Sequence, residues 1–261
     1  MQARKLTAIQ GWRWLSEAYA IYRKAPSRLG LVVMGYWLCV LLLNAIPVVG
    51  PVLTSILIPA LSVGVMNACR QIDLGKPVEP IMLFSALNQE SKANRKTLFF
   101  LGGTYLLTTF GVLSISVMVD GGQLLSLMTG QIPINDETLA HADISFAALT
   151  VLTLLLPVLM AYWYAPILAG WYGLPVLKSL FFSFIACLRN GPAFLAYGVS
   201  LFLFGVLLPV TVLSMLSAVI PEASGLLAAM VIVPMVMVFA PTVMASFYVS
   251  YRDVFAVSED A

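Results

Sequence analysis

Residues 29–69 form a run of 41 positions without a single charged side chain. A helix rises 1.5 Å per residue and the hydrocarbon core of a bilayer is about 30 Å thick, so about 20 apolar residues cross it once. The run is twice that length. It is interrupted by Asn44-Ala-Ile-Pro47-Val-Val-Gly50-Pro51, whose proline and glycine signal a turn. Two antiparallel spans over about 29–45 and 50–69 are therefore expected.

The same criterion applied to the rest of the chain gives spans at about 97–119, 144–170, 192–220 and 224–251. Buried backbone amides must be paired in hydrocarbon, so a spanning segment is a helix or part of a closed barrel. Barrel strands alternate apolar and polar residues. Val151-Leu-Thr-Leu-Leu-Leu-Pro-Val-Leu-Met160 does not. Composition agrees: 61% of the residues are hydrophobic and 10% charged, against about 25% charged in a soluble domain. The fold class expected is all-α membrane, with six transmembrane helices in a single polytopic domain over 1–261.

The 14 lysines and arginines lie within residues 4–28, within 70–96, at Lys178 and Arg189, and at Arg252. With six spans these places share one side. The opposite loops, about 120–143 and 221–224, carry Asp120, Asp136, Glu137, Asp143 and Glu222 and no lysine or arginine. Cations are retained on the cytoplasmic side, which predicts cytoplasmic N- and C-termini. No apolar core lies among the basic residues of the first 28, so no cleavable signal is expected there.

The chain reads as three tandem interfacial-helix-plus-hairpin repeats, over about 1–70, 71–172 and 173–252. In the first, Ile9, Trp12, Leu15, Tyr19 and Tyr22 recur at helical spacing and Pro26 ends the segment. In the third, Leu177, Phe181, Phe184, Ile185 and Leu188 make the matching stripe before Gly191-Pro192. The second, around Pro80–Leu87, is less regular. The second span of each unit carries a proline eleven or twelve residues before its basic residue: Pro59 and Arg70, Pro166 and Lys178, Pro241 and Arg252. Proline kinks a helix, so Pro59, Pro166 and Pro241 are candidate kinks.

Amphipathic segments with aromatic and cationic residues suit the bilayer interface. Trp12, Arg13, Tyr19, Tyr22, Arg23, Lys24, Lys178 and Arg189 are the candidate lipid-interface residues, and each such cation contributes about 1 kcal/mol of attraction to anionic lipid. A docking face for the rest of the bundle is the alternative use of the same stripes.

Chemistry is hard to find. No Asp, Glu, Lys, Arg or His falls at membrane depth, which removes the usual elements of proton relays and voltage sensors. His141 is the single histidine, in an acidic loop without a paired-ligand spacing. Nucleophile and phosphate-cradle motifs are absent. Cys39, Cys69 and Cys187 read as small apolar fillers. The expectations are no catalytic, metal or cofactor site, and no enzyme. Membrane lipids, anionic ones among them, a membrane-protein partner or self-association are the expected contacts, and nucleic acid is not. A non-enzymatic lipid- or protein-binding scaffold is the leading reading. A transporter or channel-like protein for a neutral or amphiphilic solute is the alternative, and it requires a cavity between spans two, four and six near their prolines.

Gly11-Trp-Arg-Trp-Leu15, Tyr22-Arg-Lys-Ala-Pro26 and Ile46-Pro-Val-Val-Gly-Pro51 together resemble a family of proteobacterial six-helix inner-membrane proteins with no agreed function. The resemblance spans most of the chain and is clearest over 11–70. It implies a bacterial inner-membrane location and supplies no active-site residues. More distantly, the plan looks like the membrane portion of some glycerophosphodiester phosphodiesterases, whose soluble catalytic domain has no counterpart here.

Overall fold

The computed structural model describes residues 3–88, 92–133, 142–219 and 224–255. The expectations for His141, for Asp136 and Glu137, for the Pro221–Glu222 turn and for the tail after 255 fall outside them. Among the described residues the chain is helical without strands. Six helices are long and apolar enough to cross a membrane: Pro26–Asn44, Val49–Asp73, Asn94–Asp120, Asp143–Tyr172, Gly191–Ala218 and Ala229–Phe255. Each matches a predicted span, with ends within a few residues of those expected.

Helix α1 (Ala8–Lys24) precedes the first hairpin, α2 (Pro26–Asn44) and α3 (Val49–Asp73). A 3-10 turn, Pro80–Phe84, leads into α4 (Lys92–Asp120), followed by the short α5 (Gln123–Met128). The fourth span is two helices, α6 (Ala142–Trp163) and α7 (Ala165–Tyr172). Helix α8 (Val176–Arg189) precedes the last hairpin. Its first arm is α9 (Gly191–Phe202), a π turn over Leu203–Leu207 and α10 (Leu208–Val219); its second arm is α11 (Ser224–Phe255). Proline stands in the first turn of α2, α7 and α9, where its missing N–H costs nothing.

The lead-in segments dock in a cycle. Helix α1 packs on α9 and α11 of the third hairpin, the 3-10 turn on α2 and α3 of the first, and α8 on α6 and α7 of the second. Small residues make these seams close. Gly11 lies against the Ala193 backbone and Gly64 against the Leu83 backbone, where a Cβ at either glycine would overlap the facing carbonyl.

The three seams lie at the end of the bundle that carries the cations, and the dense core is there too. Trp14, Leu29, Val65, Tyr164 and Val249 are fully or almost fully buried. Toward the other end the spans expose Leu42, Met118, Leu152 and Met215. So much contiguous apolar surface would aggregate in water, and lipid is the solvent that fits it.

The three candidate kinks differ. Pro59 and Pro241 sit inside the continuous helices α3 and α11. Pro166 adjoins a true break at Tyr164. There the Ser183 hydroxyl donates to the Met160 carbonyl (2.8 Å) and accepts from the Tyr164 N–H (2.9 Å). Those two backbone groups would bond each other in an unbroken helix, so a side chain from α8 is inserted into the ladder of the fourth span.

Candidate functional site

Helix α1 has three faces. Gly11, Trp14, Leu15, Ala18 and Ile21 are buried in the bundle. Trp12 and Tyr19 point outward, 41% and 45% exposed, with Ile9 beside them and Tyr22 half-buried. Gln10 and Glu17 reach the polar cluster at the end of α11. The predicted stripe is thus mostly the outward face, and Leu15 is the member that belongs to the core. Docking was the alternative use of that stripe; the face that docks is instead the one built on small residues around Trp14.

Helix α8 repeats the division. Ser179, Ser183, Ala186 and Cys187 are buried, while Leu177, Phe181 and Leu188 are exposed. Lys178 and Arg189 are exposed as well. Burial pushes the Cys187 thiol up to about 12, against a hydrogen bond with Ser183 that lowers it. An undissociated, buried thiol is an inert filler. The lead-in to the second hairpin departs from the pattern: it is a 3-10 turn, not an amphipathic α-helix, with Leu83 buried and Ile81 outward.

The candidate cations divide by partner. Arg13 and Arg23 are exposed. Lys24 is held by Asp73, 3.2 Å from its carboxylate. Asp73 also accepts from Arg252 Nη1 at 3.1 Å and from the Tyr248 hydroxyl at 3.2 Å. Arg252 Nη2 pairs with Glu17, and lies 3.4 Å from Asp253 Oδ1. Asp253 Oδ2 accepts from Gln10 Nε2 at 2.9 Å and Trp14 Nε1 at 3.1 Å. The cluster ties α1, α3 and α11 together. Its three carboxylates stand on the cationic side, and this mixture of signs was the available sequence signal for them.

Two cavities border these elements. A groove of ≈460 Å³ runs between the outward face of α1 and the third hairpin, lined by Trp12, Leu15, Ser16 and Tyr19 on one side and by Phe204, Leu208, Met235, Val238, Phe239 and Thr242 on the other. None of these carries a charge. The π turn delivers Phe204 to Trp12, with ring centroids 5.6 Å apart, and such turns recur at functional sites. Gly205 in the same turn lets the Phe239 ring approach, since a Cβ there would lie 2.8 Å from Phe239 Cε1.

The second cavity, ≈290 Å³, lies at the centre, between α3, α4, α6, α7 and α11, with Tyr36 of α2. Pro59 and Pro166 line it, and Met244 and Phe247 line it about one and two turns beyond Pro241. This is the place the transport alternative requires. Among the described residues, no group of three or more His, Cys, Asp or Glu side chains is arranged to hold a metal ion.

Six apolar helices, with the ion pairs of the described residues gathered at one end, define a polytopic integral membrane protein. Its sequence is 32% identical to a probable inner membrane protein of Burkholderia thailandensis over 261 residues, 99% of this chain and 96% of that protein. The chain belongs to that family and is a multi-pass inner membrane protein. No family model matches it, and no solved structure matches it. These comparisons give no support to the more distant phosphodiesterase likeness.

Proposed function

We propose that this protein is a non-enzymatic lipid-binding scaffold of the inner membrane, and that lipid lies along the groove between α1 and the third hairpin. The groove carries the reading. It is uncharged, offers ≈460 Å³ of apolar space, and is framed by Trp12 and Tyr19. Aromatic rings of this kind sit at the headgroup level. Arg13 and Arg23, exposed on the same helix, are placed for headgroup phosphates, and each surface cation contributes about 1 kcal/mol toward anionic lipid. Native mass spectrometry of the protein released from nanodiscs of mixed anionic and zwitterionic lipid tests this. The double variant Trp12→Ala, Tyr19→Ala is expected to retain fewer lipids. Arg13→Gln with Arg23→Gln is expected to lose the preference for anionic ones. Lipid number and class unchanged in both variants would refute the reading.

The cationic end faces the cytoplasm in this scheme. With the three native cysteines replaced by alanine, an impermeant maleimide added to intact cells is expected to label Gln131→Cys and to leave Arg189→Cys unlabelled until the membrane is opened. The reverse pattern inverts the topology. The cyclic docking of the three lead-ins supports the threefold repeat, because each hairpin receives the segment that precedes the next one around the ring.

The central cavity favours a second reading, passage of a neutral or amphiphilic solute. Ser55→Trp, which narrows the cavity, is expected to stop uptake of such a solute into proteoliposomes. Uptake indistinguishable from protein-free vesicles in the unaltered protein would dismiss it.

A further inference from the structure

Where α7 gives way to α8, a shallow cavity of ≈700 Å³ opens at the cationic end of the bundle. Tyr172 and Leu174 line it from one side, and Leu177, Lys178, Phe181 and Phe182 of α8 from the other. It shares no residue with the groove on α1 or with the central cavity. Leu177 and Phe181 are 80% and 61% exposed, so its apolar wall faces outward, and the Phe181 ring is held by edge-on contact with Phe182 at 5.9 Å. Tyr172 is the last residue of the fourth span. The cavity therefore lies at the depth where hydrocarbon gives way to headgroups.

The polar groups at its rim are arranged for an anion. The Tyr251 hydroxyl, on a side chain 5% exposed, donates to the Tyr172 hydroxyl at 2.7 Å. Tyr172 thus accepts from within, and its own proton is left for a partner outside. Lys178 is exposed on the same rim. Next to it in the fold, the Arg70 guanidinium lies over the Trp171 ring, 5.0 Å from the centroid, a cation–π contact. Trp171 is itself fixed, donating from Nε1 to Asn67 Oδ1 at 2.7 Å and meeting Tyr251 edge-on at 5.1 Å. Neither Lys178 nor Arg70 is in an ion pair among the described residues, and Asp73, three residues beyond Arg70, is taken by Lys24 and Arg252. No carboxylate lines the cavity. Two unneutralised cations and an oriented hydroxyl therefore stand over an apolar wall. A soluble anion would leave that wall in water, and a zwitterionic headgroup would bring a cation that Lys178 and Arg70 repel.

We propose that this cavity is a second lipid site, selective for an anionic glycerophospholipid. The lipid phosphate accepts from the Tyr172 hydroxyl and from Lys178, charge-assisted bonds that are stronger than neutral ones. Arg70 adds to the positive field, and the upper acyl chain lies on Leu177 and Phe181. The site deepens the lipid-binding reading without resting on the groove of α1: either can be filled while the other is empty.

Native mass spectrometry of the delipidated full chain in detergent tests it, by titration with phosphatidylglycerol or with phosphatidylcholine. The titration is run on the parent and on Trp12→Ala, Tyr19→Ala, in which the groove of α1 no longer contributes. Both are expected to form a phosphatidylglycerol adduct that phosphatidylcholine does not match. Lys178→Gln is expected to weaken that adduct about fivefold. Tyr172→Phe, which keeps the ring and gives up the donor, is expected to weaken it about tenfold. An excess of sn-glycerol 3-phosphate is expected to leave the adduct in place. Equal binding of the two lipids overturns the proposal, as does displacement by glycerol phosphate, which would make the ligand a soluble anion. Weakening by Lys178→Gln but not by Tyr172→Phe overturns it too, because diffuse attraction to a cationic surface behaves in that way. Size-exclusion profiles establish that each variant is folded. Should Tyr172→Phe not fold, Arg13→Gln takes its place: this cation lies outside the cavity, and a loss equal to that of Lys178→Gln overturns the proposal. Loss of lipid in Trp12→Ala, Tyr19→Ala with this adduct retained bears on the groove alone, so the two sites fail separately.

Discussion

Replacing Gly64 with alanine is expected to lower the melting midpoint of this protein by about 6–12 °C. The added methyl would overlap the carbonyl of Leu83, and neither partner has room to retreat. Val63 and Val65 are fully buried on either side, and Leu83 is 2% exposed. The 3-10 turn is pinned from the next helical turn, where Asn67 Nδ2 donates to Ser85 Oγ at 2.8 Å. Overpacking typically costs about 1–3 kcal/mol, and an overlap with backbone belongs at the top of that range. For a chain of this size about 3 kcal/mol lowers the melting midpoint by about 6–12 °C. Gly103→Ala is the control: nothing lies within 4 Å of its Cβ position in α4, and alanine favours the helix by up to about 1 kcal/mol. Size-exclusion chromatography of heated, detergent-solubilised protein reads both. Equal midpoints for the two variants would show that the seam between α3 and the turn is not closely packed.

Trp14→Ala is expected to be at least as damaging and to act on one helix. The side chain is completely buried, with its ring edge-on to Phe194 at 5.3 Å and Tyr197 at 5.7 Å. Truncating a buried tryptophan costs about 3–5 kcal/mol. Trp14→Phe keeps most of the packing and gives up only the bond to Asp253, a hydrogen bond to a charged group worth about 1.5–3 kcal/mol. Limited trypsin digestion separates the cases. Cleavage after Arg13 and Arg23 is expected to be fast in Trp14→Ala, intermediate in Trp14→Phe and slow in the parent. Three equal rates would mean that Trp14 does not hold α1 on the bundle.

The spans were readable because hydrocarbon permits so few solutions. A charge-free run of adequate length has one use in a bilayer, and each predicted boundary fell within a few residues of a helix end. The faces of the lead-in helices were less readable. On α1 the large aromatic residues Trp12 and Tyr19 drew attention to the side that faces outward, while docking depends on Gly11 and Ala18, whose value is the absence of a side chain. Trp14 lies among the same apolar residues, and only its neighbours on α9 and α11 mark it as core. Nothing local in the sequence indicates that Asp73 and Asp253, 180 positions apart, share Arg252. Ser183 breaks the fourth span from a different helix, an effect that Pro166 alone suggested for another reason. The central cavity was anticipated as a location, between the proline-bearing spans. Its lining residues Tyr36, Tyr105 and Tyr162 come from three different helices, and pattern reading has no access to that.

The cyclic docking of the lead-ins sets an order of assembly. Helix α1 leaves the ribosome before the hairpins, yet its seat is made of α9 and α11, which belong to the last of them. The second and third lead-ins find their hairpins already made; the first must wait for the whole chain. Until then its Trp14 face stays unsatisfied at the membrane surface, the kind of exposed apolar patch that draws chaperones and proteases. A prematurely terminated product would keep that patch permanently, and so carry a mark of incompleteness near its own N-terminus.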